Sequence, residues 1–375
     1  MISFRFLGKD AKFDFNNLKL YIEDDEIDFD NPISTPQKEV YFKLNNYCNL
    51  KCIYCYQQGE YMNPEDGEND FDDYENIFEE IFNKCDIFHL FGGEPFLDIN
   101  YTKIEKILSF VSVNKRVNAF TNGCFSERYI NLLKVNRNKI GHITITLDGS
   151  KDTHNSRRIN KNGEGSFDTI ISNIEALVIN GVNVVIQVNI DQDNIDCVEK
   201  LFLFIENNSV LSSCTVLLNR VLHTTNGISE LELLRLYVRC SRKVSFNIMI
   251  NSVTVKALTN IISGDESIAI GRCNAGNIMV FDFSSGYIYT CPESSKTRCG
   301  SFTNEGIIVN QAYLDEVVRY TKKDMPLCKS CEYNLYCGKG CYIEQDLSLQ
   351  NCKGEIQDIL QYIFDNFETF FDIEC

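Results

Sequence analysis

From residue 39 onward the chain switches repeatedly between two hydrophobic periods. Residues 39–44 alternate and read as a buried strand. Phe71, Tyr74, Ile77, Phe78, Ile81 and Phe82 then recur at helical spacing, and an apolar strand follows at 87–91. The same alternation predicts a helix over 101–111, a strand over 116–121, and a helix over 126–135 with Ser126 as its N-cap. It continues with strand 143–147, helix 167–179, strand 182–190, helix 195–206, strand 216–220 and helix 231–238. Six strand–helix units imply a parallel sheet with crossover helices, an α/β fold. Periodicity does not choose between an open doubly wound sheet and a barrel. Ahead of these units, residues 2–6, 12–15 and 18–22 are strand-like, followed by an acidic stretch and the turn at Asn31-Pro32.

In parallel sheets, active sites lie at the carboxyl ends of the strands, and the chemically suggestive residues of this chain sit there. Cys48, Cys52 and Cys55 follow the first strand. Their spacing suits one iron–sulfur cluster held by three thiolates, with a fourth iron left open to a small chelating molecule. A zinc loop, a disulfide pair and coincidence among 17 cysteines are the competing readings. Gly92-Gly93-Glu94-Pro95 follows the second strand. Its paired glycines allow a ligand close to the backbone, and Pro95 stops the strand. Thr121-Asn122-Gly123 follows the third strand, Asp148-Gly149-Ser150 the fourth, with His154 and Arg157 soon after. Gln187 and Asn189, in the fifth strand, are further cofactor-binding candidates. A cap or turn is the plainer reading of each polar residue, and His154 equally suits a surface turn.

Composition narrows the class. A chain of 375 residues accommodates one large domain with one or two small ones. No apolar run reaches membrane-spanning length, and no secretion signal opens the chain. Abundant cysteines without such a signal point to thiolate ligation in a reducing cytoplasm. A net charge of −17 argues against a nucleic-acid surface and suits a neutral or basic peptide.

With its three-cysteine loop and Gly92–Pro95 turn, the chain resembles the radical S-adenosylmethionine (radical SAM) superfamily. That resemblance implies a partial (β/α)6 barrel, open on one side, over residues 39–250. It implies that Cys48, Cys52 and Cys55 ligate the catalytic [4Fe-4S] cluster. Gly92, Gly93, Glu94 and Pro95 would bind the methionine amino group of S-adenosyl-L-methionine, with Glu94 as acceptor. Thr121 and Asn122 would approach the ribose and Tyr54 the adenine. Asp148 and Arg157 would line the cofactor or substrate edge, since residues 146–157 look like the Ser/Thr-x-Asp-Gly…His…Arg pattern of peptide-modifying members.

Nine cysteines lie after residue 272. Cys273 precedes Gly286 and Cys291; then come Cys328-x2-Cys331-x5-Cys337-x3-Cys341, and Cys352. Short spacings with intervening glycines let thiolates converge, and structural zinc is the competitor. The pattern resembles the SPASM domain, the C-terminal extension of peptide-modifying radical SAM enzymes. By that resemblance the cysteine-rich region over 251–353 carries two auxiliary [4Fe-4S] clusters. Cys273, Cys291 and Cys341 would ligate the first, and Cys328, Cys331, Cys337 and Cys352 the second. The family's extra cysteine soon after the first is missing, since residues 274–280 contain none. Cys299 is the alternative fourth ligand. Cys85, Cys124, Cys197, Cys214, Cys240 and Cys375 fit no spacing and read mostly as small buried hydrophobes.

The expectation is thus a cytoplasmic enzyme with S-adenosyl-L-methionine and three [4Fe-4S] clusters that oxidises a ribosomally made precursor peptide. A carbon–carbon cyclophane or a thioether would be the product, with a flavodoxin- or ferredoxin-type electron donor and no nucleic-acid or membrane partner. A formylglycine-forming sulfatase maturase is the alternative, and a non-catalytic iron–sulfur protein the alternative of another class. Residues 1–38 form a short β-rich extension, too small for a winged-helix leader-binding module, and 354–375 a terminal helix.

Overall fold

The computed structural model describes residues 2–6, 9–14, 19–26, 39–57, 74–85, 87–222, 224–263, 278–321, 331, 333, 337 and 352–371. The chain divides into two compact units, Met1–Gln37 with Ser252–Asn277 and Gln311–Cys375, and Lys38–Asn251 with Ile278–Asn310.

In the first unit, β1 (Ile2–Phe6), β2 (Lys9–Asp14), β3 (Lys19–Ile22) and β4 (Asp25–Glu26) form an antiparallel meander. Its last turn places Glu23 and Asp24 at positive φ, and the Asp24 carboxylate pairs with Lys12 at 2.9 Å. The helix Val253–Ser263 runs beside β1 and beside the helix Cys352–Asp365.

The second unit carries the six anticipated strands, β5 (Glu39–Lys43), β7 (Ile87–Phe91), β8 (Arg116–Thr121), β9 (Ile140–Thr146), β11 (Val184–Ile190) and β12 (Thr215–Arg220). Two short strands, β6 (Leu50–Cys52) and β10 (Arg158–Asn160), pair with each other away from the main sheet. The sheet extends past both ends of the six. Beyond β12 lies β13 (Ile248–Ile250). Beyond β5 lies β14 (Ile278–Asp282), parallel to it, followed by the antiparallel β15 (Tyr287–Tyr289), β16 (Arg298–Thr303) and β17 (Gly306–Val309). The order is β13-β12-β11-β9-β8-β7-β5-β14-β15-β16-β17, an open and mostly parallel sheet.

Crossover helices α1 (Glu75–Lys84), α2 (Tyr101–Phe110), α3 (Glu127–Val135), α4 (Lys151–Arg157), α5 (Phe167–Ile179), α6 (Val198–Glu206) and α7 (Glu230–Ser241) connect the strands. Strand alternation sorts the side chains by face. Phe42 packs against Phe78 and Phe82 of α1, while the intervening Tyr41 stacks on His89 at 4.2 Å on the other face. That second face is unusually polar for a parallel sheet. It carries Asn118, His142, Thr144, Thr146, Gln187, Asn189 and Asn219, next to a Glu39–His89 contact of 3.1 Å.

Two local readings change. Val182 closes α5 instead of opening β11. Its N–H donates to the Leu177 carbonyl and that of Gly181, at φ +75, to Val178, a left-handed C-terminal cap. Ser126 holds the N-cap position of α3, but its hydroxyl donates to Asp98 at 2.9 Å and caps nothing.

Candidate active site at the carboxyl ends of the strands

The cysteine loop is held by its neighbours' backbone. The Gly93 N–H donates to the Asn45 carbonyl at 2.9 Å and the Glu94 N–H to Tyr47 at 2.8 Å. A Cβ on Gly93 would sit 2.1 Å from the Tyr47 oxygen, and one on Gly92, at φ +138, 2.5 Å from the Asn45 oxygen. The glycine pair therefore lets two strand-end loops touch, where the sequence suggested room for a ligand. Further along, β6 pairs with β10, placing Cys52 directly opposite Arg158.

Cys48, Leu50 and Cys52 form one buried cluster, with Tyr54, Cys55 and Cys124 packed on it. The Cys48 sulfur accepts from the Leu50 N–H at 3.4 Å and from Asn122 Nδ2 at 3.5 Å. Burial, seconded by the Glu94 carboxylate, pushes the Cys48 thiol up to about 12. Burial raises Cys52 as well, against the pull of Arg158. Metal binding at this loop must therefore release protons. Among the described residues no three Cys, His, Asp or Glu groups already stand in ligating array.

Glu94 is fully buried and ties three loops together. Its Oε1 accepts from the Phe96 N–H at 2.8 Å and the Thr121 hydroxyl at 2.6 Å, and its Oε2 from the Asn122 N–H at 2.6 Å. Burial pushes its pKa up to about 7, with the three donors working against that rise. Asn122 also bonds Asn49 at 2.7 Å. Thr121 and Asn122 thus join the Glu94 turn to the cysteine loop.

A second network centres on Tyr54. Its hydroxyl donates to Asp148 Oδ2 and accepts from Arg158 at 2.7 Å. Asp148, with no exposure, also accepts the Asn189 N–H at 3.0 Å. Arg157 turns to Asp191 in a bidentate pair at 2.8 and 2.9 Å, leaving its Nε 3.9 Å from Asp148. His154 is fully buried, which excludes the surface-turn reading. Its Nδ1 accepts the Asp148 N–H at 3.2 Å, so Nε2 carries the proton toward Ser166 at 3.0 Å. Burial holds it neutral, at about 3. Gln187 donates to Asn189 at 2.8 Å, Asn219 reaches the same oxygen at 3.3 Å, and Asn251 reaches Asn219 at 2.8 Å. This amide ladder runs across the carboxyl ends of β11, β12 and β13.

The sequence reading missed Arg158, Asp191, Asn194 and Cys124. Asn194 bonds the backbone carbonyls of Asp148 and Asn189 at 2.8 and 2.9 Å. The doubled arginine is visible in the sequence, but only β10–β6 pairing separates a residue facing Asp191 from one facing Cys52.

Of the later cysteines, Cys291 lies on a turn that touches this site, since the Tyr56 hydroxyl donates to the Pro292 carbonyl at 3.1 Å. Cys331 and Cys337 are half-buried, while Cys273, Cys328 and Cys341 and the side chain of Cys352 lie outside the described residues. Cys214 and Cys240 are buried, Cys85, Cys124 and Cys197 partly so, and Cys375 lies outside the described residues. Cys299 is 1 % exposed within β16, its thiol donating to the Ile288 carbonyl at 3.4 Å. Burial pushes it up to about 11. Cys299→Ala is therefore expected to keep the full iron content and to cost only ~1 kcal/mol in stability. Iron loss on elemental analysis, or a three-iron signal in electron paramagnetic resonance, would make it a ligand.

Residues 42–205 match the family model of the radical SAM superfamily, spanning the cysteine loop, the Glu94 turn and the Tyr54 network. The chain carries a radical SAM superfamily domain over these residues, a little under half of its length. It is 32 % identical over 143 residues to a cysteine-type anaerobic sulfatase-maturating enzyme of Clostridium novyi, and 22 % over 182 residues to an Fe-coproporphyrin III synthase of Methanosarcina barkeri. These matches cover 35 % and 47 % of this chain but only 37 % and 42 % of the curated relatives. Among solved structures, anSMEcpe with bound AdoMet superposes with a TM-score of 0.67 at 17 % identity, over 88 % of this chain and 98 % of that one. Streptococcus suis SuiB bound to precursor peptide SuiA gives 0.62 at 19 %, over 84 % and 74 %. At these identities the likeness is one of fold. The residue types suit the family's cluster, with three soft thiols on one loop, two N–H donors aimed at Cys48 and a cation across from Cys52, although the three sulfurs do not converge here into a ligating array.

Proposed function

We propose that this protein is a radical SAM enzyme of the SPASM type that oxidises a peptide side chain. The observation that carries the reading is the contact between two cysteine-bearing turns within one compact unit. The catalytic loop reaches the Cys291 turn through Tyr56. The turn bearing Cys291 thus lies against the segment that follows the three loop cysteines. A bound cluster and S-adenosylmethionine would together supply one-electron chemistry that abstracts a hydrogen atom from unactivated carbon.

The chain's own residues hold and shield that chemistry. Cys48, Cys52 and Cys55 would hold the catalytic cluster, and Gly92–Pro95 would bind the methionine end. Thr121 and Asn122 lock the turn's carboxylate to the cysteine loop. Tyr54, Asp148 and Arg157, with the Gln187–Asn189 ladder, form the polar floor under the cofactor and substrate. Cys273, Cys291 and Cys341 would hold one auxiliary cluster, open at one iron, and Cys328, Cys331, Cys337 and Cys352 the other. These would accept the electron released when a new bond forms.

A peptide substrate is supported by the folds of anSMEcpe, solved with the Cp18Cys peptide, and SuiB, solved with SuiA. A crosslink in a ribosomal peptide is the first reading. The second is formylglycine formation, favoured by the 32 % identity to the sulfatase-maturating enzyme. Cytoplasmic residence and a flavodoxin- or ferredoxin-type donor complete the proposal. Among the described residues no helix is long and apolar enough to cross a membrane.

Anaerobic holoenzyme with S-adenosylmethionine and dithionite should be offered two peptides, a cysteine-containing sulfatase-type peptide and any short peptide encoded beside the gene. Loss of two hydrogens from the latter supports crosslinking. Exchange of sulfur for oxygen in the former, with aldehyde trapping, establishes the sulfatase reading instead. 5′-Deoxyadenosine formation with neither product refutes both.

A further inference from the structure

Two adjacent arginines enter the site, and they are paired very differently. Arg157 has its own counter-ion in Asp191, engaged through both terminal nitrogens. Arg158 is 5 % exposed. Among the described residues its guanidinium makes one hydrogen bond, to the Tyr54 hydroxyl at 2.7 Å, which in turn donates to the Asp148 carboxylate. Its buried Nε has no hydrogen-bond partner among the described residues. Among the described residues, no carboxylate lies within ion-pair distance of it. Asp148 beyond that hydroxyl offsets part of the cost of burying this cation, and an anion in direct contact would offset more.

The strand pairing shows where that anion would be. Arg158 and Cys52 are direct cross-strand partners in the β10–β6 ladder. Directly opposed residues project to the same face with their Cβ atoms about 5 Å apart. Backbone bonds fix the register, from Arg158 against Cys52 to Asn160 against Leu50, and the Ser166 hydroxyl pins the Arg158 carbonyl at 2.7 Å. The charge is therefore held in place by the fold.

We infer that Arg158 is the fixed counter-cation of the Cys52 thiolate and biases the reduction equilibrium of the cluster held by the cysteine loop. The inference rests on the radical SAM reading of that loop. Reduction adds one negative charge to the cluster, and a fixed cation beside a ligating sulfur favours the reduced form. Arg158 acts through Cys52 and is a positioning residue.

The test is a potentiometric titration of anaerobic holoenzyme without S-adenosylmethionine, followed by electron paramagnetic resonance. The relevant signal is the one absent from the Cys48, Cys52, Cys55→Ala triple variant. Arg158→Gln should shift the oxidised-to-reduced ratio at fixed potential at least tenfold toward oxidised, about 59 mV for one electron. Arg158→Lys, which keeps the charge, should stay within threefold of wild type. An unchanged midpoint in Arg158→Gln overturns the inference. A tenfold fall in Arg158→Lys, readable even if the Gln variant fails to fold, does the same by showing that shape matters and charge does not. An unchanged midpoint with tenfold weaker S-adenosylmethionine binding also overturns it, and makes the cofactor carboxylate the missing anion. Wild-type protein with no cluster signal at this loop would instead refute the radical SAM reading itself.

Discussion

Replacing Cys48, Cys52 and Cys55 together with alanine is expected to remove about four of roughly twelve irons per chain and all reductive cleavage of S-adenosylmethionine. The loop should keep its shape, because little of that shape depends on sulfur. Its start is bonded through backbone to Gly93 and Glu94, and its end through Ile53 to the Arg157 carbonyl. Cys48 and Cys52 are buried, so alanine leaves small cavities costing on the order of 1 kcal/mol each. Secondary structure by circular dichroism should therefore match wild type, and the iron loss can be assigned to ligation. Iron by elemental analysis and 5′-deoxyadenosine by chromatography are the two readouts. Zinc in place of iron at the C-terminal cysteines would overturn the SPASM proposal while leaving the radical SAM domain match over residues 42–205 intact.

Glu94→Gln is expected to weaken S-adenosylmethionine binding roughly tenfold to a hundredfold, the 1.5–3 kcal/mol of a charge-assisted bond. The same variant should also lose stability. Glu94 receives three donors on two oxygens, and an amide NH2 would face at least one of them. A donor left unsatisfied in a buried site costs about 1–3 kcal/mol. The pH dependence separates the two effects. Burial raises the Glu94 carboxyl in the folded protein to about 7, above its ordinary value of 4.5. The native state then holds a proton that the unfolded chain has lost. Its contribution is fully present below pH 4.5 and is lost as pH rises through about 7, with a slope of at most about 1.4 kcal/mol per unit. That slope should vanish in Glu94→Gln, measured by denaturant unfolding across this range. Unchanged cofactor affinity together with a vanished slope would leave Glu94 as a clamp between loops and remove it from cofactor binding.

The sequence by itself determined the strand–helix alternation and where its chemistry gathers. Apolar side chains at period two and at helical spacing need only local geometry to be read. A parallel sheet then puts the residues that follow each strand at one end. Cys48, Glu94, Thr121 and Asp148 come from four different strand ends, and they meet in two hydrogen-bonded networks. What those residues do to one another was decided by tertiary structure. The glycines of the Glu94 turn approach the cysteine loop and not open space. His154 is a buried neutral relay. Residues 278–309 prolong the main sheet because Ile278 pairs with Glu39 and Asp282 with Lys43, an ion pair at 3.1 Å sealing the end. No periodicity encodes a pairing across so many residues, since it depends on which edge is vacant after the first strands assemble. The distinction between Arg157 and Arg158 has the same origin. One ends a helix and the other begins a strand, so neighbours in sequence face opposite partners, Asp191 and Cys52.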